Sequence, residues 1–395
     1  MLKKMVKIVG YTVLSFTFIF TVVFTSLLYI NAQDRFLSVN SQLMEKWAQL
    51  AEQGVEQVNE ADNAFNVTQQ IVGTQLSPIS LPLSEAENRT LIQYKQTCYL
   101  SSIEQCQTFI ADNLSQMQSM VQTHTELISQ YHQLMTLPVW HEKIDVSDEQ
   151  PQLNFTALLK IQQIAEINAL LSSRADSPSI INDFLNDDYR FWHNVFHSSS
   201  YLVTFSLAGN MLKSNLERGV KFLSVEDPNQ GTYPISWTLS NELSAESIQR
   251  VFAGEYIFGK RMMSTLLENS YQLTDFEFYS QWMLGHFFKL NDSLNMHSEV
   301  LLAQYQKVIL KKQTLDNKTN NTDINAEFQI IDDDLIQRFA YCQMDSTIEQ
   351  LWALKYNPIG KMLSCSSPTI DKYFDIAHTI AELQLQSTNL RVSLK

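Results

Sequence analysis

The longest apolar run in the chain lies near its N-terminal end. Residues 8–30 contain no ionisable side chain except Tyr11 and Tyr29. As a helix, this run would be about 35 Å long, which is enough to cross a bilayer core of roughly 30 Å. It is too long for the apolar part of a cleavable signal, and Ile30-Asn31-Ala32 is a poor cleavage site. We therefore expect an uncleaved signal anchor that holds the chain in a membrane through residues 8–30.

Beyond this run, apolar residues recur at the spacing of three and four that is typical of amphipathic helices. A stalk helix that continues the transmembrane segment outward is predicted from Phe36, Val39, Leu43, Trp47 and Leu50. The clearest pattern covers residues 103–135 and predicts one long helix of a bundle. His124 lies within that apolar stripe, where we expect a buried, hydrogen-bonded side chain or a polar group that sets the register.

Composition supports a helical fold with few tight turns. The 395 residues include only 10 Gly and 9 Pro, whereas average usage of the two together is roughly 12%. We predict an all-α protein, an N-terminal transmembrane helix followed by a multi-helix bundle, with a turn cluster at 226–235 as a boundary. The expected segments are 1–32 (cytoplasmic tail and transmembrane signal anchor), 33–75 (stalk helix), 76–225 (helical bundle) and 226–395 (C-terminal helical part).

The distribution of charge predicts the topology and argues against nucleic acid as a partner. Lys3, Lys4 and Lys7 precede the apolar run, and all 42 acidic residues follow it. The positive-inside rule then places the short N-terminal tail in the cytoplasm and the bulk of the chain outside it. So short a tail leaves no room for an intracellular output domain. With a net charge of −14, nucleic acid is not an expected partner.

The four cysteines predict disulfides, because the expected compartment is oxidising. Four cysteines allow three connectivities, and pairing of sequence neighbours, Cys98 with Cys106 and Cys342 with Cys365, is our first expectation. Residues eight apart on a straight helix are about 12 Å apart, but disulfide-bonded Cα atoms are about 5.5 Å apart. The chain must therefore turn between Cys98 and Cys106 if they are bonded. Four buried free thiols are the alternative.

One pair of histidines has the spacing of metal ligands. His193 and His197 would be one turn apart on a helix face, so that two imidazoles could bind one zinc ion. The zincin pattern has a general-base Glu directly after the first His, and here that residue is Asn194. A metal-dependent hydrolase assisted by Asp187 or Asp188 is one hypothesis. The other is that both histidines are hydrogen-bonded side chains on an aromatic helix face, with no cofactor and no catalytic residue.

Several short segments resemble a family of uncharacterised, membrane-anchored proteobacterial envelope proteins. The residues that carry the resemblance are Asp62-Asn63-Ala64-Phe65, Cys98 and Cys106 before a helix with Leu127 and Tyr131, Phe191-Trp192, Ser199-x-x-Leu202, Gly254-Glu255 and Asn357-Pro358-x-Gly360-Lys361. The resemblance implies a single-pass protein of the bacterial inner membrane with its bulk in the periplasm. It implies no activity and no catalytic residues.

Three classes of function remain open from the sequence. The leading hypothesis is a non-enzymatic binding or scaffold module whose partner is an envelope protein or membrane component. The alternative is the metal-dependent hydrolase with a His193/His197 site, which requires a bound metal such as zinc. A carrier of lipid or another hydrophobic ligand would need a pocket between helices.

Overall fold

The computed structural model describes residues 2–53, 59–75, 77–144, 153–175, 177, 179–226, 233–269, 282–317, 329–331, 333–335, 337–339, 342, 353–365 and 370–393. The long helices within these ranges are α1 (Leu2–Ile30), α2 (Val39–Gln53), α3 (Ala64–Val72), α4 (Glu85–Tyr94), α5 (Ile103–Asp112), α6 (Leu114–Thr123), α7 (Thr125–Thr136), α8 (Phe155–Ala175), α9 (Ser179–Ser198), α10 (Leu202–Glu226), α11 (Ala245–Asn269), α12 (Leu290–Asn317), α13 (Pro358–Ser364) and α14 (Asp375–Ser393). Shorter helical segments cover Glu60–Asp62, Lys95–Tyr99, Ile235–Thr238, 282–287 and Ile370–Phe374.

The predicted all-α class is confirmed. In the ranges given above there is no β-strand, and β pairing is limited to isolated bridges. Within α1, Val9–Ile30 is a 22-residue stretch with a mean hydropathy of 2.2, long and apolar enough to cross a membrane. Its apolar side chains are exposed, for example Phe16 at 74%. Such exposure is expected of a helix whose surroundings are lipid rather than protein.

The chain divides into two compact units, and neither is continuous in sequence. Unit 1 comprises Met1–Trp47 and Tyr256–Asp371, and unit 2 comprises Ala48–Glu255 and Lys372–Lys395. Their boundaries fall inside α2 and α11 rather than at the turn cluster around 226–235. The four segments predicted from sequence order therefore do not coincide with these units, because helices far apart in the chain pack together.

Unit 2 is built around α8. This helix packs against α4, α6, α7 and α9, while α10 packs against α9 and the C-terminal α14. Seven consecutive residues of α8, from Ile161 to Ile167, are buried, so the helix is covered on all sides. Such a helix lies at the centre of a bundle. The polar members of that run consequently need partners inside the protein.

The long helix predicted at residues 103–135 is three shorter helices, α5, α6 and α7. The breaks lie at Asn113 and His124, whose ψ angles of 14° and 29° depart from the helical value. Asn113 turns its amide back to the carbonyl oxygen of Phe109 at 2.8 Å. His124 is buried, and its Nε2 lies 3.0 Å from Glu87 Oε1. The apolar spacing correctly identified the buried face, but helix continuity depended on these local polar contacts.

The predicted stalk is interrupted as well. α1 ends at Ile30, and α2 begins only at Val39. The buried Asn31 between them donates from Nδ2 to the carbonyl oxygens of Leu27 and Lys355, at 2.9 and 2.7 Å. Polar contacts within unit 1 thus replace the continuous helix that the apolar spacing indicated.

Both expected cysteine pairs lie at disulfide distance. The Cα atoms of Cys98 and Cys106 are 4.5 Å apart, and those of Cys342 and Cys365 are 5.4 Å apart. The first pair needs the chain reversal that its spacing implied. That reversal is formed by the short helix Lys95–Tyr99 and a new helix start at Ile103, where Ser102 is the N-cap residue.

Candidate functional site

The two candidate metal ligands are neighbours on α9. The ring centroids of His193 and His197 are 4.3 Å apart, and both side chains are half-buried. His193 Nε2 donates to the carbonyl oxygen of Ser240 at 2.7 Å, whereas Nε2 of His197 is buried without a hydrogen-bond partner in the described structure. Burial lowers the pKa of His193. Burial and the neighbouring His193 lower the pKa of His197 to about 4, so His197 is neutral at physiological pH.

Among the described residues, no third metal ligand lies beside this pair. Within the described residues, no group of three or more His, Cys, Asp or Glu side chains is arranged to hold a metal ion. Asp187 instead lies 3.5 Å from Arg190, and Asp188 is buried among other partners. The hydrogen bond to Ser240 also occupies His193 Nε2, which leaves only its Nδ1 for a metal. The structure therefore brings the two histidines together, and in the part of the chain that it describes no carboxylate joins them to form a metal site.

The most concentrated buried charge lies in the core of unit 2, on residues that the sequence did not single out. Glu166 on α8 and Arg218 on α10 form an ion pair, with side chains 0% and 1% exposed. Tyr94 from α4 donates to Glu166 Oε1 at 2.6 Å. The Arg218 guanidinium lies 3.9 Å from the ring centroid of Tyr99. The ion pair is thus covered by two aromatic side chains.

A second carboxylate completes this buried network. Asp188 on α9 accepts hydrogen bonds from Tyr131 at 2.6 Å, Gln162 at 2.8 Å and Asn215 at 2.9 Å. Asn215 in turn accepts from Trp237 Nε1 at 2.9 Å. These contacts join α7, α8, α9, α10 and the turn Ile235–Thr238 through side chains alone.

The chemistry of the network favours a structural role. Burial raises the pKa of Tyr94 and Tyr131 well above the ordinary value, so both hydroxyls remain protonated donors. All of the charged groups are buried and have opposite-charge or hydrogen-bond partners, so none faces solvent where a substrate could reach it. We expect this buried ionic network to determine which helices pack together.

Two further carboxylates meet the N-terminus of α10. Glu142 accepts from the backbone N–H groups of Ser200 at 2.8 Å and Tyr201 at 3.3 Å, and Glu255 accepts from that of Leu202 at 2.8 Å. Carboxylates are stabilised at this end of a helix because free N–H groups and the helix dipole both point at them. Burial nevertheless raises the pKa of Glu142 to about 7, although the hydrogen bonds oppose that shift.

This arrangement gives a physical reason for the Gly254-Glu255 pair. A Cβ atom on Gly254 would lie 1.8 Å from the carbonyl oxygen of Ser200, so only glycine fits there. The close approach brings Glu255 within reach of Leu202 N. The sequence contained one usable signal for the larger network: Gln162, Gln163 and Glu166 lie among the apolar residues of the run 161–167. Their partners on other helices could not be identified from spacing.

No protein-family model, curated protein or solved structure matches this chain significantly. The resemblance to anchored envelope proteins consequently stays a prediction.

Proposed function

We propose that this chain is a single-pass protein of the bacterial inner membrane whose bulk lies in the periplasm, where it acts as a binding or scaffold module for an envelope protein. The observation that carries the proposal is the exposed apolar helix Val9–Ile30. Lys3, Lys4 and Lys7 precede it, and the acidic residues follow it, which is the charge asymmetry of an anchor with a cytoplasmic N-terminus. The two cysteine pairs at disulfide distance agree with an oxidising compartment.

A binding role is supported by the positions of charged and of exposed apolar side chains. In unit 2, Glu166 and Arg218 form an ion pair and Asp188 accepts from Tyr131, all inside the core. In unit 1, by contrast, apolar side chains are exposed on one face of α11: Phe258, Met262 and Leu266. Residues four apart on a helix share a face, so these three form a continuous stripe. A helix from a partner protein could pack its own apolar face on this stripe.

The anchor and its orientation are tested first. Full-length protein should stay in the membrane fraction after alkaline carbonate extraction. A C-terminal alkaline phosphatase fusion should be active, because that enzyme needs the oxidising periplasm, and a C-terminal green fluorescent protein fusion should be dark. Release by carbonate, or the opposite reporter pattern, would reject the anchored periplasmic assignment.

The binding surface is tested by photo-crosslinking in living cells. A photoreactive amino acid at Met262 should give a discrete crosslinked product whose second component mass spectrometry identifies as the same envelope protein in independent preparations. Glu268 is the matched control, because it is exposed on the same helix but outside the stripe. Equal crosslinking from both positions, or none from Met262, would count against this surface.

The metal-dependent hydrolase remains the second candidate, since the His193 and His197 rings are adjacent and His197 Nε2 has no hydrogen-bond partner among the described residues. It predicts one equivalent of zinc or a similar metal in gently purified protein. The metal should be lost in His193→Ala and kept in the control His132→Ala, which changes an exposed histidine on α7. Metal-free protein of normal stability would rule out the metal-dependent hydrolase.

A further inference from the structure

We propose that residues 282–287 form a second membrane contact, in which Trp282 and Met283 lie in the outer interface of the bilayer beside α1. This proposal rests on the proposed anchoring of α1 and adds a lipid-binding surface to it. The segment belongs to unit 1, as does α1. The ligand of the segment 282–287 would be the lipid at the boundary between headgroups and acyl chains.

The contact that carries the proposal is between two aromatic rings. Phe24, which lies inside the apolar stretch Val9–Ile30, stacks on Trp282 with ring centroids 5.7 Å apart. Phe20 stacks on Phe24 at 5.8 Å, so Trp282 extends an aromatic column that begins within the span. Any membrane that surrounds α1 at the level of Phe24 must therefore also meet Trp282.

The depth of Trp282 follows from helix geometry. Phe24 lies about 9 Å below Ile30 along the helix axis, at 1.5 Å per residue. A helix from Val9 to Ile30 is about 33 Å long and nearly matches the bilayer core of roughly 30 Å. Phe24 then lies several ångströms inside the core boundary, and the Trp282 ring centroid is 5.7 Å from it. Interfacial segments bury their apolar side about 5–10 Å below the boundary between headgroups and acyl chains, so Trp282 lies within that depth. Tryptophan suits this boundary because its ring is apolar and its indole N–H is polar.

The composition and exposure of this segment fit a position in the bilayer interface. Residues 282–288 read Trp-Met-Leu-Gly-His-Phe-Phe and contain no carboxylate, lysine or arginine. Phe287 and Phe288 are buried against the protein, while Met283 is 50% exposed. The His286 ring stacks on Trp282 at 4.5 Å, which holds the indole in place. One side of the segment thus packs on unit 1, and the other presents apolar surface beside the span, as interfacial segments do.

The first experiment measures quenching of tryptophan fluorescence by brominated lipid. Full-length protein is reconstituted in vesicles of phosphatidylethanolamine and phosphatidylglycerol whose acyl chains carry bromine near the headgroup. We expect quenching, and we expect Trp282→Phe to lose most of the quenchable signal. Trp192→Phe is the matched control, because Trp192 is buried in the core of unit 2. Quenchable fluorescence that is unchanged in Trp282→Phe would overturn the proposal.

A second measurement needs no variant. A phospholipid with a diazirine in its acyl chain is activated in the same vesicles, and adducts are mapped by mass spectrometry. We expect adducts on Trp282 or Met283 as well as on α1, and none on Leu385, which is an exposed apolar side chain of unit 2. Adducts on α1 alone would contradict the interface contact.

Flotation of the vesicles separates the two proposals. Protein that floats without quenching at Trp282 is anchored but lacks the second contact. Protein that fails to float lacks the anchor itself and refutes both.

Discussion

The two units both bury polar side chains, but they satisfy them in different ways. Unit 2 buries opposite charges, and the Glu166–Arg218 pair is completed by side chains from separate helices. Unit 1 uses a neutral hub, Asn357, which has an exposure of 0%. Its Oδ1 accepts from the backbone N–H of Lys289 at 2.8 Å, and its Nδ2 donates to Asp292 at 3.0 Å.

This difference predicts how much stability each cluster should lose when one of its side chains is replaced. A buried charge left without its partner costs far more than a neutral group that loses hydrogen bonds, because the desolvation of a charge is no longer compensated. Asn357 also binds backbone atoms of Lys289 and Gly360 and so fixes the local chain path, whereas we expect the ionic network to determine which helices pack together. The following variants test this contrast in full-length protein in detergent micelles, by denaturant unfolding followed by circular dichroism.

The largest effect is expected from Arg218→Met. The change leaves Glu166 buried without its counter-ion, and such losses typically cost 3–5 kcal/mol in the free energy of unfolding. Lys213→Met on the same helix is the control, because the Lys213–Glu217 pair is solvent-exposed and should contribute at most about 1 kcal/mol. Adding Glu166→Gln to Arg218→Met should recover part of the loss. Equal effects of Arg218→Met and Lys213→Met would show that the buried ion pair contributes no more to stability than an exposed one.

The next effect depends on pH and concerns Glu142. Its folded-state pKa of about 7 lies above the ordinary value of 4.5, so the folded chain binds more protons between those values. The contribution of Glu142 to the free energy of unfolding should therefore fall as the pH rises through this window, by on the order of 3 kcal/mol at most. His197, whose pKa is lowered to about 4, acts in the opposite direction, so the Glu142 contribution is measured as the difference between the unmodified protein and a variant. The difference in unfolding free energy between the unmodified protein and Glu142→Gln should change with pH through this window, whereas the difference for Glu246→Gln, at an exposed position on α11, should stay constant. A difference for Glu142→Gln that does not change with pH would show that Glu142 does not titrate in this window.

Asn357 should give a smaller loss that can be divided into two parts. Asn357→Ala removes the hydrogen bonds and also places alanine at a φ of 48°, which costs about 1–2 kcal/mol for the backbone alone. Asn357→Gly removes the same hydrogen bonds without that backbone cost. We expect Asn357→Ala to be the more destabilising by about 1 kcal/mol, and Asn210→Ala on the surface of α10 to be nearly neutral. Identical values for the alanine and glycine variants would argue that the left-handed backbone carries no strain.

The smallest effect is expected from an exposed polar contact at a helix N-terminus. Ser84 and Glu87 form a capping box at the start of α4. Ser84→Ala should lower the free energy of unfolding by about 1 kcal/mol, and the exposed Ser119→Ala should change it by less than about 0.5 kcal/mol. A loss at Ser84 as large as that of Arg218→Met would mean that burial does not distinguish these contacts.

Sequence patterns predicted the local features of this fold well. The apolar run at 8–30 corresponds to the exposed stretch of α1, and the chain reversal between Cys98 and Cys106 is present. The patterns overestimated helix length where one polar residue makes a specific contact, as at Asn113 and His124. Apolar spacing reports which face is buried, but it carries no information about a hydrogen bond to a distant residue.

The sequence by itself determined the helical class, the apolar span and its charge asymmetry, because these depend on composition and on residues close together in the chain. Only the tertiary structure decided that Glu166 meets Arg218, that Asn31 meets Asn357, and that Trp282 meets Phe24. Each of these contacts joins residues separated by dozens to hundreds of positions. Their pairing depends on how the helices pack, and that is a property of the whole core rather than of any local pattern.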